Sequence, residues 1–168
     1  LDYYTDQAKK LGYQDAIDAI QTLVQCNKAL LGKTENIYSL GDENYHVDEI
    51  VKKMNSMDKS DILAPLFLFR CKVAYLHGDF QLARELLYEV DKRRKVLDGN
   101  PDSITHATYA FLTEAVSYSQ LSKDEKKKAL KRMKIELKKV RKRAHYYAPN
   151  FEHLKNIMIA ETARISGD

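Results

Sequence analysis

A chain of 168 residues with 44% hydrophobic and 31% charged side chains can bury a core without disulfides or metals, and is too apolar to stay disordered. No apolar run approaches the roughly 18 to 20 residues needed to span a bilayer, and Leu1 to Lys10, with Asp2, Asp6, Lys9 and Lys10, does not read as a signal peptide. The formal charge of +4 is unevenly placed: Lys123 to Arg143 holds twelve Lys/Arg against three acids, a local excess of +9 that leaves −5 for the rest. A start at Leu1, without an initiator Met, points to a segment of something longer.

With only 6 Gly and 3 Pro, the pattern is helical throughout. Leu1 to Leu11 reads as a first helix. From Tyr13 to Leu31, Ala16, Ile17, Ile20, Leu23, Val24 and Leu30 keep a helical rhythm. Gly32 through His46 is the longest irregular stretch, with Gly41-Asp42 and Asn44 as turn formers. A short helix from about Val47 to Met57 follows. Asp61 is placed to cap a helix running to His77, with Pro65 in its first turn. Gly78 ends that helix, and Asp79 caps the next, from Phe80 to about Lys95. Leu97-Asp98-Gly99-Asn100-Pro101 is a break. Asp102 or Ser103 opens a helix through Ser119. Ser122 and Glu125 have capping-box spacing for a long basic helix to Tyr146. Pro149-Asn150 breaks the chain before a last helix from Phe151 to Ile165. The expectation is an all-α fold of about eight helices in one domain over 1–168, with neighbours antiparallel because the connections are short.

Cys26 and Cys71 stand far apart among helical residues, which is neither a disulfide framework nor a metal spacing. They read as buried free thiols, and a reducing cytoplasm is the expected compartment.

Phe67 to Val90 is the most informative stretch. Phe67, Cys71 and Ala74 share one helix face, Gly78-Asp79-Phe80 makes the turn, and Ala83, Leu87 and Val90 continue the apolar face. Small residues let two helices approach while the aromatic fills the space beside the turn. An ordinary helical hairpin shares some of these features, but the pattern resembles a tetratricopeptide repeat, a unit of about 34 residues. Three blocks carry a broader resemblance: Asn27-Lys28-Ala29-Leu30-Leu31-Gly32-Lys33-Thr34; Ala74 to Phe80 with Ala83; and Ala144 to Gly167, including Ala148-Pro149-Asn150-Phe151-Glu152-His153. Together they are similar to the helical region of large multidomain signalling ATPases and sensor kinases. There such a region follows a STAND/AAA-type ATPase module and often precedes GAF and histidine-kinase modules. The resemblance implies a stacked, tetratricopeptide-like scaffold or sensor segment and no catalyst.

Gly32-Lys33-Thr34 imitates the end of a phosphate-binding loop, but the first glycine of G-x-x-x-x-G-K-[ST] would fall at Asn27, and a helix precedes where a strand is required. A helix C-cap at Gly32 is the expectation, with no cofactor site. His46, His77, His106, His145 and His153 lack metal-ligand spacing, and no Ser or Cys has a nucleophile setting. No acid, base and nucleophile set can be assembled, so an enzyme is not expected.

The basic helix is the remaining candidate. Leu130, Met133, Leu137, Val140 and Ala144 form the stripe expected to pack inward. The opposite face carries Lys128, Lys131, Arg132, Lys138, Lys139 and Lys142, with Ile135 in its middle. Solvation is the plainest use of such a face. A branched apolar residue ringed by cations also suits an acidic protein partner or a neighbouring domain. Binding of nucleic acid or an anionic surface through 123–143 is the alternative, and the absence of aromatics among the lysines speaks against it. Eight tyrosines on expected helices (Tyr3, Tyr4, Tyr75, Tyr88, Tyr109, Tyr118, Tyr146, Tyr147) read as filling grooves between hairpins.

Overall fold

The computed structural model describes residues 2–34, 40 and 46–167. Among them lie eight α-helices and no strand: α1 (Asp2–Lys10), α2 (Gln14–Leu30), α3 (Val47–Ser56), α4 (Ser60–Leu76), α5 (Phe80–Lys92), α6 (Asp102–Ser117), α7 (Lys123–Tyr146) and α8 (Ala148–Ser166). The all-α class therefore stands, and no described helix is long and apolar enough to cross a membrane. Most of the irregular stretch expected before His46, including Gly41-Asp42 and Asn44, lies outside the described residues.

The helices gather into two compact units, Leu1–Asp98 and Gly99–Asp168. The division falls inside the 97–101 break, where Leu97 ends a 3₁₀ turn over Arg94–Leu97 and Pro101 leads into α6.

In the first unit one arrangement occurs twice. A short helix, a residue in the left-handed region and a 17-residue helix make up both α1–α2 and α3–α4. The left-handed residues are Gly12 and Asp58 at the inner turns, and Gly32 and Gly78 past the long helices, so both pairs stand 46 positions apart. This offset differs from the roughly 34-residue period of a tetratricopeptide unit. Asp18, largely buried on α2, accepts from Gln14 at 2.8 Å and pairs with Lys53 of α3 at 2.6 Å. Lys59 reaches Asp15 at 2.7 Å, so the second short helix and the start of α4 are both tied to α2.

The hairpin motif is built as its residue types require. Phe67, Cys71, Ala74, Ala83 and Leu87 are all buried between α4 and α5 and their neighbours. Gly78 has φ +83°; its amide donates to Tyr75 at 3.1 Å and the Asp79 amide to Ala74 at 2.9 Å, the two bonds of a Schellman ending. The Asp79 carboxylate accepts from the Leu82 amide at 3.0 Å, starting α5 at once. Phe80 packs against Tyr75 with ring centroids 5.3 Å apart.

Three boundaries differ from the expected ones. Helix α4 begins at Ser60 with Lys59 at the N-cap, so Asp61 lies in the first turn and caps nothing, while Pro65 falls beyond that turn, inside the helix. Its ring removes the bond to the Asp61 carbonyl, and because Asp61 is solvent-exposed, water can serve that carbonyl instead. Helix α8 begins at Ala148, since Pro149 suits the first turn of a helix and the chain bends at Tyr147 (φ −149°, ψ 80°) instead. Helix α5 ends at Lys92, where Arg93 bonds Glu89 and Asn55 and the chain tightens into the 3₁₀ turn.

In the second unit α6, α7 and α8 pack on one another. Ile104, Ala107, Phe111 and Ala115 of α6 are buried, as are Ala129, Met133, Leu137, Val140 and Ala144 of α7, whereas α8 buries only Met158. Arg164 of α8 donates to the Ala115 carbonyl at 3.2 Å.

Candidate interaction surface

Helix α7 starts on a complete capping box. The Ser122 hydroxyl accepts from the Glu125 amide at 3.4 Å, and the Glu125 carboxylate accepts from the Ser122 amide at 2.9 Å. Asp124 and Glu125 in the first turn and Arg143 and His145 in the last complement the helix dipole at both ends.

The buried side of α7 is Ala129, Met133, Glu136, Leu137, Val140 and Ala144. Leu130, expected in this stripe, is instead 40% exposed. The inward face is turned about one residue toward Ala129 and Glu136, because small Ala129 permits close helix approach. Glu136 reaches this side as a carboxylate paired with Lys139 at 2.5 Å.

Ile135 lies on the outward side and is 48% exposed. On a helix the nearest neighbours of a residue stand three and four positions away. For Ile135 these are Lys131, Arg132, Lys138 and Lys139, all cationic. The structure divides them. Arg132 is held by Glu114 of α6, with Nε and Nη2 both 2.7 Å from one carboxylate oxygen, and Lys139 is held by Glu136. Lys131 and Lys138, like Lys128 and Lys142 further along, have no carboxylate partner among the described residues. The seven candidate residues therefore do share one side of α7, but only four of the six cations are uncommitted.

The sequence reading missed Tyr146. It is 73% exposed and stands eleven positions after Ile135, a separation that returns a helix to nearly the same face. Helical phase alone would have placed it there. The expected packing role of the tyrosines is corrected more widely: Tyr3, Tyr4, Tyr88, Tyr146 and Tyr147 are exposed, and Tyr75, Tyr109 and Tyr118 are half-buried. Tyr3, Tyr4, Tyr88 and Tyr146 stand at exposed positions of their helices and Tyr147 at the bend between α7 and α8, where phenol tolerates water. Tyr88 instead accepts Lys92 over its ring at 4.4 Å.

Other candidate sites are dispersed. Gly32 has φ +66°, its amide donates to Ala29 at 3.0 Å, and the Lys33 amide donates to Lys28 at 2.8 Å. The amides a phosphate loop would use are thus spent on closing α2, at the negative end of a helix dipole. Among the described residues no group of three or more His, Cys, Asp or Glu is placed to hold a metal ion. Cys26 and Cys71 are free and buried, and burial pushes each thiol up to about 12, for Cys26 against the opposing pull of Arg70 and Lys72. A groove of about 120 Å³ in the first unit is lined by Ala19, Leu23, Ile62, Pro65 and Phe69, with Asp61 at its edge.

Comparison with protein-family models, with curated proteins and with solved structures finds no match to this chain.

Proposed function

We propose that the chain is a non-catalytic helical regulatory or scaffold module that makes protein–protein or interdomain contacts through the outward side of α7. One observation carries this: Ile135 is half exposed at the centre of four cations, two of them fixed in place by carboxylates. A single exposed Ile is ordinary. An apolar residue inside a ring of partly immobilised charge has the layout of an interface, with a dry centre and a polar rim. The setting is a reducing cytoplasm, which suits two buried thiols. The tetratricopeptide-like hairpin and the resemblance to multidomain signalling ATPases and sensor kinases support placing the module beside ATPase and kinase domains of one parent protein, with hairpins stacked as in repeat proteins.

The test is a pull-down with the whole chain, run beside Ile135→Asp and a Lys128→Glu/Lys131→Glu/Lys138→Glu variant, each checked for folding by circular dichroism. The expected result is a protein that rebinds when purified and that both variants lose. Capture that ignores both variants, or salt-sensitive capture of nucleic acid or anionic lipid alone, overturns the proposal.

A further inference from the structure

Six side chains on the outward side of α7 form a ridge with a defined spacing. In order they are Lys128, Lys131, Ile135, Lys138, Lys142 and Tyr146, separated by three, four, three, four and four positions. This is the alternation of a helix seam that meets a second helix at a shallow angle. It differs from an ordinary seam in carrying lysines where leucines would stand, with apolar side chains at only two places. Those two, Ile135 and Tyr146, lie about 16 Å apart along the axis and are both substantially exposed.

The charge on and beside this ridge sets the partner's sign. In the second unit the cations of the other helices are already paired, Lys155 with Glu152 at 2.8 Å and Arg164 with Glu161 at 2.7 Å. Arg132, beside the ridge, is neutralised by Glu114. Among the described residues of the second unit, the cations without a carboxylate partner therefore all lie on α7, where Lys127, Lys134, Arg141 and Arg143 are exposed on either side of the ridge. A duplex needs phosphate contacts spread over a broader surface and gains nothing from Ile135. A second helix is about 10 to 12 Å across and can lie along one helix with its carboxylates toward the lysines and apolar side chains on Ile135 and Tyr146.

We infer that the outward side of α7 docks an acidic amphipathic helix of a protein partner, with carboxylates opposite Lys128, Lys131, Lys138 and Lys142 and two apolar side chains seated against Ile135 and Tyr146. The inference rests on the proposed function and narrows it to one class of partner. The carboxylates supply attraction and the apolar pair supplies register, because sliding by one turn would set a leucine against lysine.

The probe is a Glu-rich peptide of about 20 residues with two Leu eleven positions apart on one helix face. Its twin has both Leu replaced by Ser at unchanged charge. Binding of each, and of a short DNA duplex, is measured by fluorescence anisotropy on the whole chain at physiological salt. The Leu peptide should bind about tenfold more tightly than the Ser twin, the combined effect of two apolar anchors that are each only partly buried on an exposed surface. Ile135→Ser and Tyr146→Ala should each reduce that preference and together remove it, and Lys131→Glu/Lys138→Glu should weaken both peptides. Equal binding of the two peptides, tighter binding of the duplex, or no peptide binding overturns the inference. If the pull-down still yields an Ile135-dependent protein while the peptide fails, the acidic-helix inference falls alone. If neither depends on Ile135, the proposed function falls with it.

Discussion

Single alanine substitutions at Met133, Leu130 and Ile135 test which way α7 faces, on which the candidate surface depends. Met133 is 2% exposed, Leu130 40% and Ile135 48%. Truncating a fully buried Met costs about 2 to 5 kcal/mol, part of it for the cavity left behind. Leu130 keeps little more than half of its contact, so its loss should cost about 1 kcal/mol. Ile135 is more exposed still, only Lys and Arg stand three and four positions from it, and alanine has the better helix propensity, so Ile135→Ala should stay within about 0.5 kcal/mol of wild type. Urea unfolding of the whole chain followed by far-UV circular dichroism reads all three. With a urea dependence of about 2 kcal/mol per molar, Met133→Ala should move the midpoint by more than about 1 M and Ile135→Ala by less than about 0.3 M. If the two units melt separately, only the phase reporting 99–168 should move. A Leu130→Ala cost equal to that of Met133→Ala, or an Ile135→Ala cost above about 2 kcal/mol, would mean that α7 is rotated and the lysine ridge does not face outward.

Gly78→Ala should cost about 1 kcal/mol in the same assay, because φ is +83° and a Cβ there meets nothing within 4 Å, leaving the left-handed backbone as the whole penalty. Asp58→Gly, at the matching kind of turn with φ +52°, should be neutral or stabilising. Ser122→Ala removes one half of the capping box and should cost about 1 kcal/mol. The thiols of Cys26 and Cys71 bind protons more tightly folded than unfolded, so their contribution is complete below about 9 and is lost as pH rises toward about 12. The wild type should therefore lose stability across that window more steeply than a Cys26→Ala/Cys71→Ala variant, by up to about 1.4 kcal/mol per pH unit for each thiol.

Much of the fold was legible because local signals agreed. At Gly78-Asp79 a left-handed residue, a capping carboxylate and the small Cys71, Ala74 and Ala83 all point to one hairpin, and each does what its chemistry suggests. Prolines were legible only in part. Pro65 looks like a helix starter yet stands further in, because the true start depends on Lys59 bridging to Asp15 of another helix. Pro149 looks like a breaker yet begins α8, because Tyr147 absorbs the bend one step earlier. Of the candidate surface, phase alone placed Ile135 outward. It misplaced Leu130, because hydrophobicity outranks size in a periodic reading, whereas close helix packing selected the smaller Ala129. No local pattern could show that Glu114 would hold Arg132, since those residues meet only after α6 and α7 have packed.

The division of the basic ring into tethered and free members separates structure from recognition. Arg132, Lys139, Lys131 and Lys138 all adjoin Ile135, and changing any one to Gln removes the same charge from the same helix. A partner that responded only to the long-range field would weaken equally in each case. The local geometry predicts otherwise. Arg132 and Lys139 are already paired with Glu114 and Glu136, and Glu136 is largely buried. Lys139→Gln should therefore cost stability by removing the paired cation from a largely buried carboxylate, with Arg132→Gln costing less at its more exposed pair. Both should leave binding of the acidic peptide within about twofold, whereas Lys131→Gln or Lys138→Gln should leave stability nearly untouched and weaken binding severalfold. Equal weakening by all four would show that the ring acts as a diffuse charge, and the tethers to Glu114 and Glu136 would then belong to the packing of the second unit alone.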